Sequence, residues 1–318
     1  MKSEDLQKLL VEIKTVLASE PSATFAIAGL TPSAFDILAC FRAMQAESQC
    51  LGIFDLESRA DYGGCKPIGE LPKAAPSTVI LASDENKEAL LNAIMPFISA
   101  KTRILLGGYG HFTFRHPIYD RITRNPLVPS LANGNPNSLI HLFQCLQNAA
   151  RLHLKGTVIE FGMFKGGTTA LLAQFVKELG QDWNVIGFDT FAGFPPRRSP
   201  LDMYSHPDCV YPDEQAVRSY VEPLGVEVMA GDIVETVKRL SSEQIVLAFV
   251  DTDNYSPAYA VLDVIQDRVV KGGAIVFDHY TGRNRHLYTL GERIAAKRLL
   301  EDPRYFNLHD SGVFFKQQ

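Results

Sequence analysis

The sequence has no excess of basic residues, no long apolar run and no regularly paired cysteines. Its 36 Asp and Glu outnumber its 31 Lys and Arg, which gives a formal net charge of −5. A protein that binds nucleic acid needs a basic surface to meet phosphates, so this balance argues against that class. No apolar run approaches the ~18 residues of a membrane span, and the first residues form no apolar signal core. We therefore expect a cytoplasmic protein, a homo-oligomer, that binds neither nucleic acid nor a membrane.

The cysteines also exclude two kinds of stabilisation. There are five of them, scattered along the chain without any C-x-x-C spacing: Cys40, Cys50, Cys65, Cys145 and Cys209. A disulfide framework or a structural zinc site needs paired spacing, so neither is expected. Hydrophobic residues make up 46% of the chain and charged residues 21%, which is the balance of a globular protein. The thiols are expected to be reduced and to fill small volumes in its core.

Strand patterns alternate with helix patterns in both halves of the chain, which predicts α/β domains with mostly parallel sheets. In the first half, strands are predicted at 24–29, 50–55, 77–82 and 103–106, and helices at 33–44 and 87–98. In the second half, strands are predicted at 157–161, 184–189, 226–230, 245–251, 273–278, 305–308 and 312–316. Helices are predicted there at 138–152, 168–179, 213–221, 233–240, 257–269 and 287–301.

Between residues 107 and 137 the alternating pattern gives way to Gly, Pro, Asn and aromatic residues, with Asn133-Gly134-Asn135-Pro136 as the clearest break. Such a stretch is typical of a connection between domains. We therefore predict a small α/β accessory domain with its linker over residues 1–134. A second domain is predicted over residues 135–318.

Three predicted strands of the second half end in polar residues, at the edge where open α/β sheets bind ligands. Glu160-Phe161-Gly162-Met163-Phe164 is followed by Gly166-Gly167-Thr168 at a helix start. Glycines let the backbone approach a ligand, and the helix N-terminus offers N–H groups to an anion such as an amino-acid carboxylate. Asp189-Thr190-Phe191 ends the second strand, where an acid would bind ribose hydroxyls. Asp232-Ile233 follows the third, where a side chain and an amide would address an adenine edge.

Four segments resemble motifs of the macrocin O-methyltransferase family, in order and over about residues 138–318: Val158 to Thr169, Phe188 to Pro195, Phe249 to Tyr255 and Gly272 to Tyr280. The resemblance implies a Rossmann-like class I methyltransferase domain that uses S-adenosylmethionine. Its acceptor would be a hydroxyl of a sugar or of another small natural-product-type molecule. The implied cofactor-binding residues are Glu160, Gly162, Met163, Phe164, Gly167, Thr168, Asp189, Thr190, Phe191, Asp232, Ile233 and Asp251.

The same resemblance implies the catalytic site. Asp251 and Asp278 would bind a divalent cation, Mg²⁺, and Asp253 would be the general base that removes the hydroxyl proton. A sugar hydroxyl is a very weak acid, and a bound cation both lowers its pKa and orients it. Asp251 and Asp253 stand two apart at a strand end, so their side chains can point the same way.

His279 departs from the family pattern, which usually has a second aspartate at that position. Because Mg²⁺ prefers oxygen ligands, His279 as a metal ligand would favour a transition metal instead. Alternatively, His279 is the catalytic base, with its proton held by a carboxylate. Two structural alternatives also stay open, in which His279 only forms local hydrogen bonds or Asp253 caps the helix that begins near Ser256.

Two other functions fit parts of this pattern. A nicotinamide-dependent oxidoreductase also binds adenosine and places an acid on ribose. However, the turn after Glu160 lacks the G-x-G-x-x-G spacing, and that activity has no use for the acidic cluster. The second alternative is a non-catalytic binding protein on a methyltransferase fold, in which His279 marks the loss of catalysis.

Two further segments are candidates for acceptor binding. Pro195 to Tyr211 is predicted to be a long loop beside the cofactor, and such loops are often lids. Within it, Tyr204, His206 and Arg197 are candidate substrate contacts, although a solvated loop fits equally well. Arg283 to His286 is either a site for an acidic or phosphorylated acceptor or an exposed helix start.

The first half more faintly resembles the small Rossmann-like domain at the front of some sugar acyltransferases. The shared features are Ile27 to Gly29, a strand ending in Asp55, Gly64 to Gly69, and Ala82-Ser83. The turn at Gly29 lacks the second and third glycines of a dinucleotide site. An interaction or substrate-covering role is therefore expected, with nucleotide-sugar binding as the alternative.

Overall fold

The computed structural model describes residues 1–56, 64–84, 86–107, 114, 116–134, 137–240, 243–280, 287–308 and 311–318. Contacts divide the chain into two compact units, Met1–Phe114 and Arg115–Gln318. The division falls earlier than the predicted boundary between residues 134 and 135. Residues 116–134 belong to the second unit because they pack on its helices and strand ends. Among the described residues, no helix combines the length and the apolar character needed to cross a bilayer.

The first unit contains a parallel sheet with the order β3-β2-β1-β4-β5. Its described strands are β1 Phe25–Ala28, β2 Cys50–Asp55, β3 Lys66–Pro67, β4 Thr78–Leu81 and β5 Arg103–Leu106. Its described helices are α1 Ser3–Ser19, α2 Pro32–Ala43, α3 Leu71–Ala74 and α4 Lys87–Ile94, with 3₁₀ turns at Glu47–Gln49, Ile68–Glu70 and Met95–Phe97. The four predicted strands are confirmed. The sequence pattern did not predict β3 and α3, which are too short to show a period.

Every residue of β1 is buried, because the two faces of the sheet are covered by different helices. Phe25 and Ile27 pack in a cluster with residues of α1 and α2. Ala26 and Ala28 pack in a second cluster with residues of α3 and α4. Alternate residues of a strand point to opposite faces, so a strand buried on both faces is continuously apolar.

The glycine turn of the first unit is closely packed. A side-chain carbon added at Gly29 would lie 3.0 Å from a methyl group of Leu90 and 3.1 Å from Cβ of Ser83. The Asp55 carboxylate accepts hydrogen bonds from the backbone N–H groups of Leu30 and Leu56. The space beside this glycine is therefore filled by protein atoms, and a role of this unit in covering substrate or binding a partner stays a prediction.

The second unit is built on a larger sheet with the order β11-β12-β10-β9-β6-β7-β8. Its described strands are β6 Thr157–Phe161, β7 Asn184–Asp189, β8 Val226–Ala230, β9 Ile245–Val250, β10 Val269–Phe277, β11 Tyr305–Asn307 and β12 Val313–Lys316. Its described helices are α5 Pro117–Thr123, α6 Ser138–Arg151, α7 Gly167–Glu178, α8 Glu214–Val221, α9 Ile233–Thr236, α10 Tyr255–Ile265 and α11 Leu290–Glu301. Short 3₁₀ turns lie at Pro207–Cys209, Glu222–Leu224, Val237–Arg239 and Leu287–Thr289.

The order of the strands creates a switch point between β6 and β9. The chain proceeds outward from β6 to β7 and β8, then returns to the other side of β6 with β9 and β10. These five strands are parallel, and β12 is antiparallel to β10. Their carboxyl ends therefore meet at one edge, with a crevice where the order reverses. The predicted Rossmann-like α/β fold of this unit is confirmed.

Helices α5 and α10 and strand β10 of this unit differ from the sequence prediction. Helix α5 lies inside the predicted linker, where the Tyr119 ring packs 5.6 Å from the Phe143 ring and 5.9 Å from the Phe175 ring. Strand β10 begins at Val269 rather than at 273, and α10 ends earlier than predicted. Here β10 changes register with β9 after Val269, at a turn in which Gly272 has a φ of +86°.

Candidate active site

A cavity of about 860 Å³ opens at the carboxyl ends of β6 to β10. This volume lies near the upper end of the range of about 300–1,000 Å³ for small-molecule sites. The structure brings to its wall all the residues predicted to bind cofactor or metal or to act in catalysis, except Phe191. Phe191 is 4% exposed, and its backbone N–H donates to Asp189 Oδ1 at 2.8 Å. Its position supports the cavity wall from behind.

The turn between β6 and α7 needs its glycines for close packing. Gly162 has a φ of +97°, and a Cβ there would lie 2.0 Å from the carbonyl oxygen of Asp251. A Cβ on Gly167 would lie 2.2 Å from the carbonyl oxygen of Pro129. Any side chain at either position would therefore displace backbone from the cavity wall. The sequence pattern predicted that these glycines let the backbone approach a ligand. The structure adds that they are needed for close packing of the cavity wall.

Glu160 is a buried acid near the end of β6, just before the same turn. It is 2% exposed and accepts a hydrogen bond from the Thr169 hydroxyl. Burial raises the pKa of Glu160 to about 8, against the opposing effect of the Thr169 bond, and the charges of Asp189 and Asp278 add to the rise. A cationic group of a ligand placed beside Glu160 would favour its ionised form.

The two acids predicted to hold the adenosine part of the cofactor have different surroundings. Asp189 accepts hydrogen bonds from the backbone N–H groups of Phe164 at 2.7 Å and Phe191, and burial raises its pKa. Since a carboxylate has about four acceptor sites, it can still bind a hydroxyl pair. Asp232 caps α9 through the Val234 N–H and forms a two-pronged ion pair with Arg198 at 2.6 and 3.2 Å. Its carboxylate therefore also holds the loop that carries Arg198.

The ends of β9 and β10 bring three aspartates around one imidazole. His279 Nε2 lies 3.0 Å from Asp253 Oδ1, 3.3 Å from Asp251 Oδ1 and 3.6 Å from Asp278 Oδ2. Burial by itself would lower the pKa of His279, but hydrogen bonds to Asp251 and Asp253 raise it to about 12. Burial also raises the pKa of Asp251 and of Asp278. Asp253 does not cap α10, since Asn254 occupies the N-cap position.

Asp251, Asp278 and His279 each offer a ligand atom, and these atoms lie within 4.8 Å of one another. That spacing suits a single ion. The donor set contains two carboxylate oxygens and one imidazole nitrogen, which fits Mn²⁺ or another transition metal better than Mg²⁺. Asp278 keeps one oxygen for this purpose, because its Oδ1 accepts the backbone N–H of Gly134 at 2.9 Å.

The sequence pattern did not reveal Glu292, whose carboxylate forms hydrogen bonds with the loops after β9 and β10. Glu292 is 0% exposed and accepts backbone N–H groups from both loops. Burial raises its pKa to about 7, while the charge of His279 opposes that rise. Its position in the sequence could have revealed that it is buried, because Glu292 has helical spacing to the buried Ala295, Ala296 and Leu299. An acid on the apolar face of a helix needs polar partners within the fold.

The predicted loop Pro195 to Tyr211 lines the cavity, and internal hydrogen bonds hold it in place. Asp202 Oδ1 accepts the backbone N–H of Ser256 at 2.7 Å, and its Oδ2 accepts the Ser256 hydroxyl at 2.7 Å. Asn254 exchanges two hydrogen bonds with the backbone of Tyr204, at 2.9 and 3.0 Å. The loop is therefore attached to the start of α10, beside the aspartates.

The structure places the residues predicted to contact the acceptor in three different ways. Tyr204 and His206 line the cavity, and their contact with an acceptor stays a prediction. Arg197 is not among the lining residues, and the neighbouring Arg198 lines the cavity while paired with Asp232. Arg283 to His286 lie outside the described residues.

The segment before α6 forms another wall that the sequence pattern did not reveal. Ser130 Oγ lies 2.8 Å from Thr168 Oγ1 at the start of α7. At its other end, Gly134 donates its N–H to Asp278. Val128, Pro129 and Leu131 line the cavity between these contacts. The predicted linker therefore includes a part of the active site.

Comparison with known proteins gives one family match. The model of the macrocin O-methyltransferase family (TylF) matches residues 134–317. A search of curated protein sequences finds no significant match. Among solved structures, the chain is similar to the O-methyltransferase NovP, with 18% identity and a TM-score of 0.48 over 57% of this chain and 79% of NovP. It is also similar to the calicheamicin methyltransferase CalS11, with 21% identity and a TM-score of 0.46 over 65% of this chain and 95% of CalS11.

Proposed function

Since the chain belongs to the macrocin O-methyltransferase family, we propose that it methylates a hydroxyl of a sugar or of another small natural-product-type acceptor. Family membership makes it an S-adenosylmethionine-dependent O-methyltransferase, and it decides against the oxidoreductase and non-catalytic alternatives. The proposal rests on one observation. The Glu160–Gly167 segment and the cluster of three aspartates and His279 line the same cavity.

The cofactor would be held along β6, β7 and β8. The first turn of α7 would receive its carboxylate on backbone N–H groups, and the buried Glu160 would face its positive charge. Asp189 would accept its ribose hydroxyls, and the segment at Asp232-Ile233 would meet the adenine edge. When bound, S-adenosylmethionine supplies a methyl group that leaves sulfur and bonds to the acceptor oxygen.

Asp253 is the proposed general base. A base must give up its own proton before it can take one from the acceptor, and the pKa of about 12 keeps His279 protonated at neutral pH in the metal-free site. Asp253 Oδ1 lies 3.0 Å from His279 Nε2, so the protonated imidazole orients the carboxylate while no ion occupies Nε2. As the new C–O bond forms and the C–S bond breaks, the hydroxyl proton passes to Asp253.

Asp251, Asp278 and His279 would hold a divalent cation, and their donor set favours a transition metal. Such an ion lowers the pKa of the acceptor hydroxyl and fixes its orientation. When no ion is bound, hydrogen bonds to Asp251 and Asp253 favour the protonated form of His279. Metal binding at Nε2 therefore requires that proton to leave, so the affinity for the ion rises with pH.

Replacement of Asp253 by Asn tests the base. The amide keeps the shape of the side chain but cannot take the proton, so kcat should fall by roughly 10²- to 10⁴-fold. The Kd for S-adenosylmethionine, measured by calorimetry, should stay within about threefold. Asp208→Asn is the matched control, because Asp208 also lines the cavity but its side chain is 88% exposed. Unchanged turnover in Asp253→Asn would show that Asp253 is not the base.

The acceptor class is tested by measuring S-adenosylhomocysteine release against sugars, glycosides and nucleotide sugars. We expect turnover with at least one hydroxyl-bearing glycoside and none with acceptors that lack a free hydroxyl. A protein that binds S-adenosylmethionine but transfers methyl only to nitrogen or carbon acceptors would refute the proposed substrate class.

A further inference from the structure

One buried carboxylate connects the two loops that carry the proposed catalytic groups. Glu292 Oε2 accepts the backbone N–H groups of Thr252 and Asp253, each at 2.9 Å. Glu292 Oε1 accepts the backbone N–H of His279 at 3.0 Å. Glu292 belongs to the first turn of α11, and it is not among the residues that line the cavity.

These bonds act on backbone that would not hold this conformation unaided. Asp253 has a φ of +61°, a left-handed conformation that costs a non-glycine residue free energy and persists only where its surroundings impose it. Glu292 bonds to the N–H of that residue. A carboxylate forms stronger hydrogen bonds to N–H groups than a neutral acceptor does, so it can supply this support.

The bonds also set a distance between two strand ends. Asp253 follows β9 and His279 follows β10, and their side chains meet at 3.0 Å. Since the two oxygens of one rigid carboxylate hold one loop each, neither loop can shift without breaking a bond to Glu292. Errors of about 1 Å in the placement of catalytic groups can reduce the rate ~100-fold.

We infer that Glu292 is a positioning residue, whose carboxylate holds the backbone of Asp253 and of His279 at the separation that methyl transfer requires. The inference rests on the proposed function. Glu292 does not touch the reacting atoms. It acts through the two loops, while the residues proposed to hold the cofactor on β6 and β7 do not depend on it.

Glu292→Gln is the test, because glutamine has the same shape but only one acceptor oxygen. Its NH₂ group must face a backbone N–H, so one of the two loops loses its acceptor. We expect kcat to fall by about 10- to 100-fold. The Kd for S-adenosylmethionine should change by less than about threefold, since binding uses other strand ends. Glu301→Gln, at the exposed end of the same helix, should change neither value.

A second readout needs no acceptor, so it separates a failure of this inference from a failure of the proposed function. In chelator-treated protein labelled with ¹⁵N-histidine, the His279 Nε2 signal is assigned by its loss in His279→Gln. This signal should shift in Glu292→Gln and stay in place in Glu301→Gln.

Two results would overturn the inference. One is a Glu292→Gln protein with the kcat and the His279 signal of the unmodified chain. The other is a parallel loss of kcat, cofactor affinity and folded fraction, which would make Glu292 a general structural residue of α11. If Glu292→Gln does not fold, Glu292→Asp is measured in the same way, since its shorter side chain retains both oxygens and should preserve part of kcat.

Discussion

At the scale of single residues, His279 sets the chemistry of the site. An aspartate at this position would add a fourth carboxylate to Asp251, Asp253 and Asp278. The imidazole instead lies within 3.6 Å of a carboxylate oxygen of each of these three residues. It can compensate their negative charge with a proton, or bind an ion through nitrogen. Both uses distinguish this chain from the family pattern that its motifs resemble.

His279→Asp should shift the metal preference of the site toward Mg²⁺. With nitrogen as a ligand, the unmodified chain should bind Mn²⁺ at least ~10-fold more tightly than Mg²⁺. In the variant, three carboxylates should bind Mg²⁺ more tightly than they bind it in the unmodified chain, because Mg²⁺ prefers oxygen. Calorimetric titration of each metal alone, without cofactor, measures this. If neither ion binds the unmodified chain and its turnover survives EDTA, the proposal of a bound cation is wrong. The protonated His279 would then compensate the negative charge of the three aspartates.

At the scale of elements, the loop Pro195 to Tyr211 matches its predicted position but is held by internal bonds. The carboxylate of Asp202 is 7% exposed, and it accepts the backbone N–H groups of Arg198 and Ser199, each at 2.9 Å, besides its two bonds to Ser256. These bonds lower the pKa of Asp202, against the opposing effect of burial. The loop is therefore a preformed wall of the cavity.

Asp202→Ala should release this loop. Removing a buried acceptor leaves its donors unsatisfied, which costs about 1–3 kcal/mol. For a unit of this size, each kcal/mol lowers Tm by roughly 2–4 °C. Trypsin should then cut after Arg197 or Arg198 at least ~10-fold faster than in the unmodified chain. Asp208→Ala, in the same loop but exposed, is the control. Equal cleavage rates in both variants would show that Asp202 does not hold the loop.

At the scale of the whole molecule, every described residue that lines the cavity, from Val128 to His279, belongs to the second unit. Its sheet and its core cluster are formed from its own elements. The first unit has a separate sheet with cores on both faces. The proposed site of methyl transfer therefore lies in the second unit, whereas substrate covering or partner binding by the first unit stays a prediction, as does the homo-oligomer.

Residues 115–318 produced alone should fold and bind S-adenosylmethionine within about threefold of the full chain. The matched comparison is residues 135–318, which begin at the boundary that the sequence predicted. That shorter fragment lacks α5, the Ser130–Thr168 contact and the Gly134–Asp278 hydrogen bond, so its Tm and its cofactor affinity should both be lower. Loss of binding in a folded 115–318 fragment would show that the first unit contributes to the cofactor site.

Local patterns in the sequence determined the class of the fold and most of the site. Strand ends such as Glu160-Phe161-Gly162 and Phe188-Asp189 could be located because apolar runs mark strands and glycine marks the turn after them. Parallel strands bring their carboxyl ends to one edge, so the aspartates and His279 were expected together. Element bounds were predictable wherever the period was long enough to count, as in β6 and α7.

Only the tertiary structure decided which groups support that site. Glu292, Asp202 and the Ser130 segment are distant in sequence from the residues they hold. Glu292 and Asp202 accept backbone N–H groups, which every residue except proline carries, whereas Ser130 meets the hydroxyl of Thr168. Bonds to the backbone leave no sequence motif at the residues whose N–H groups donate them. The residues proposed to perform the chemistry could be predicted from the sequence, because that chemistry depends on the identity of their side chains. Those that hold the backbone in place became apparent only in the folded chain.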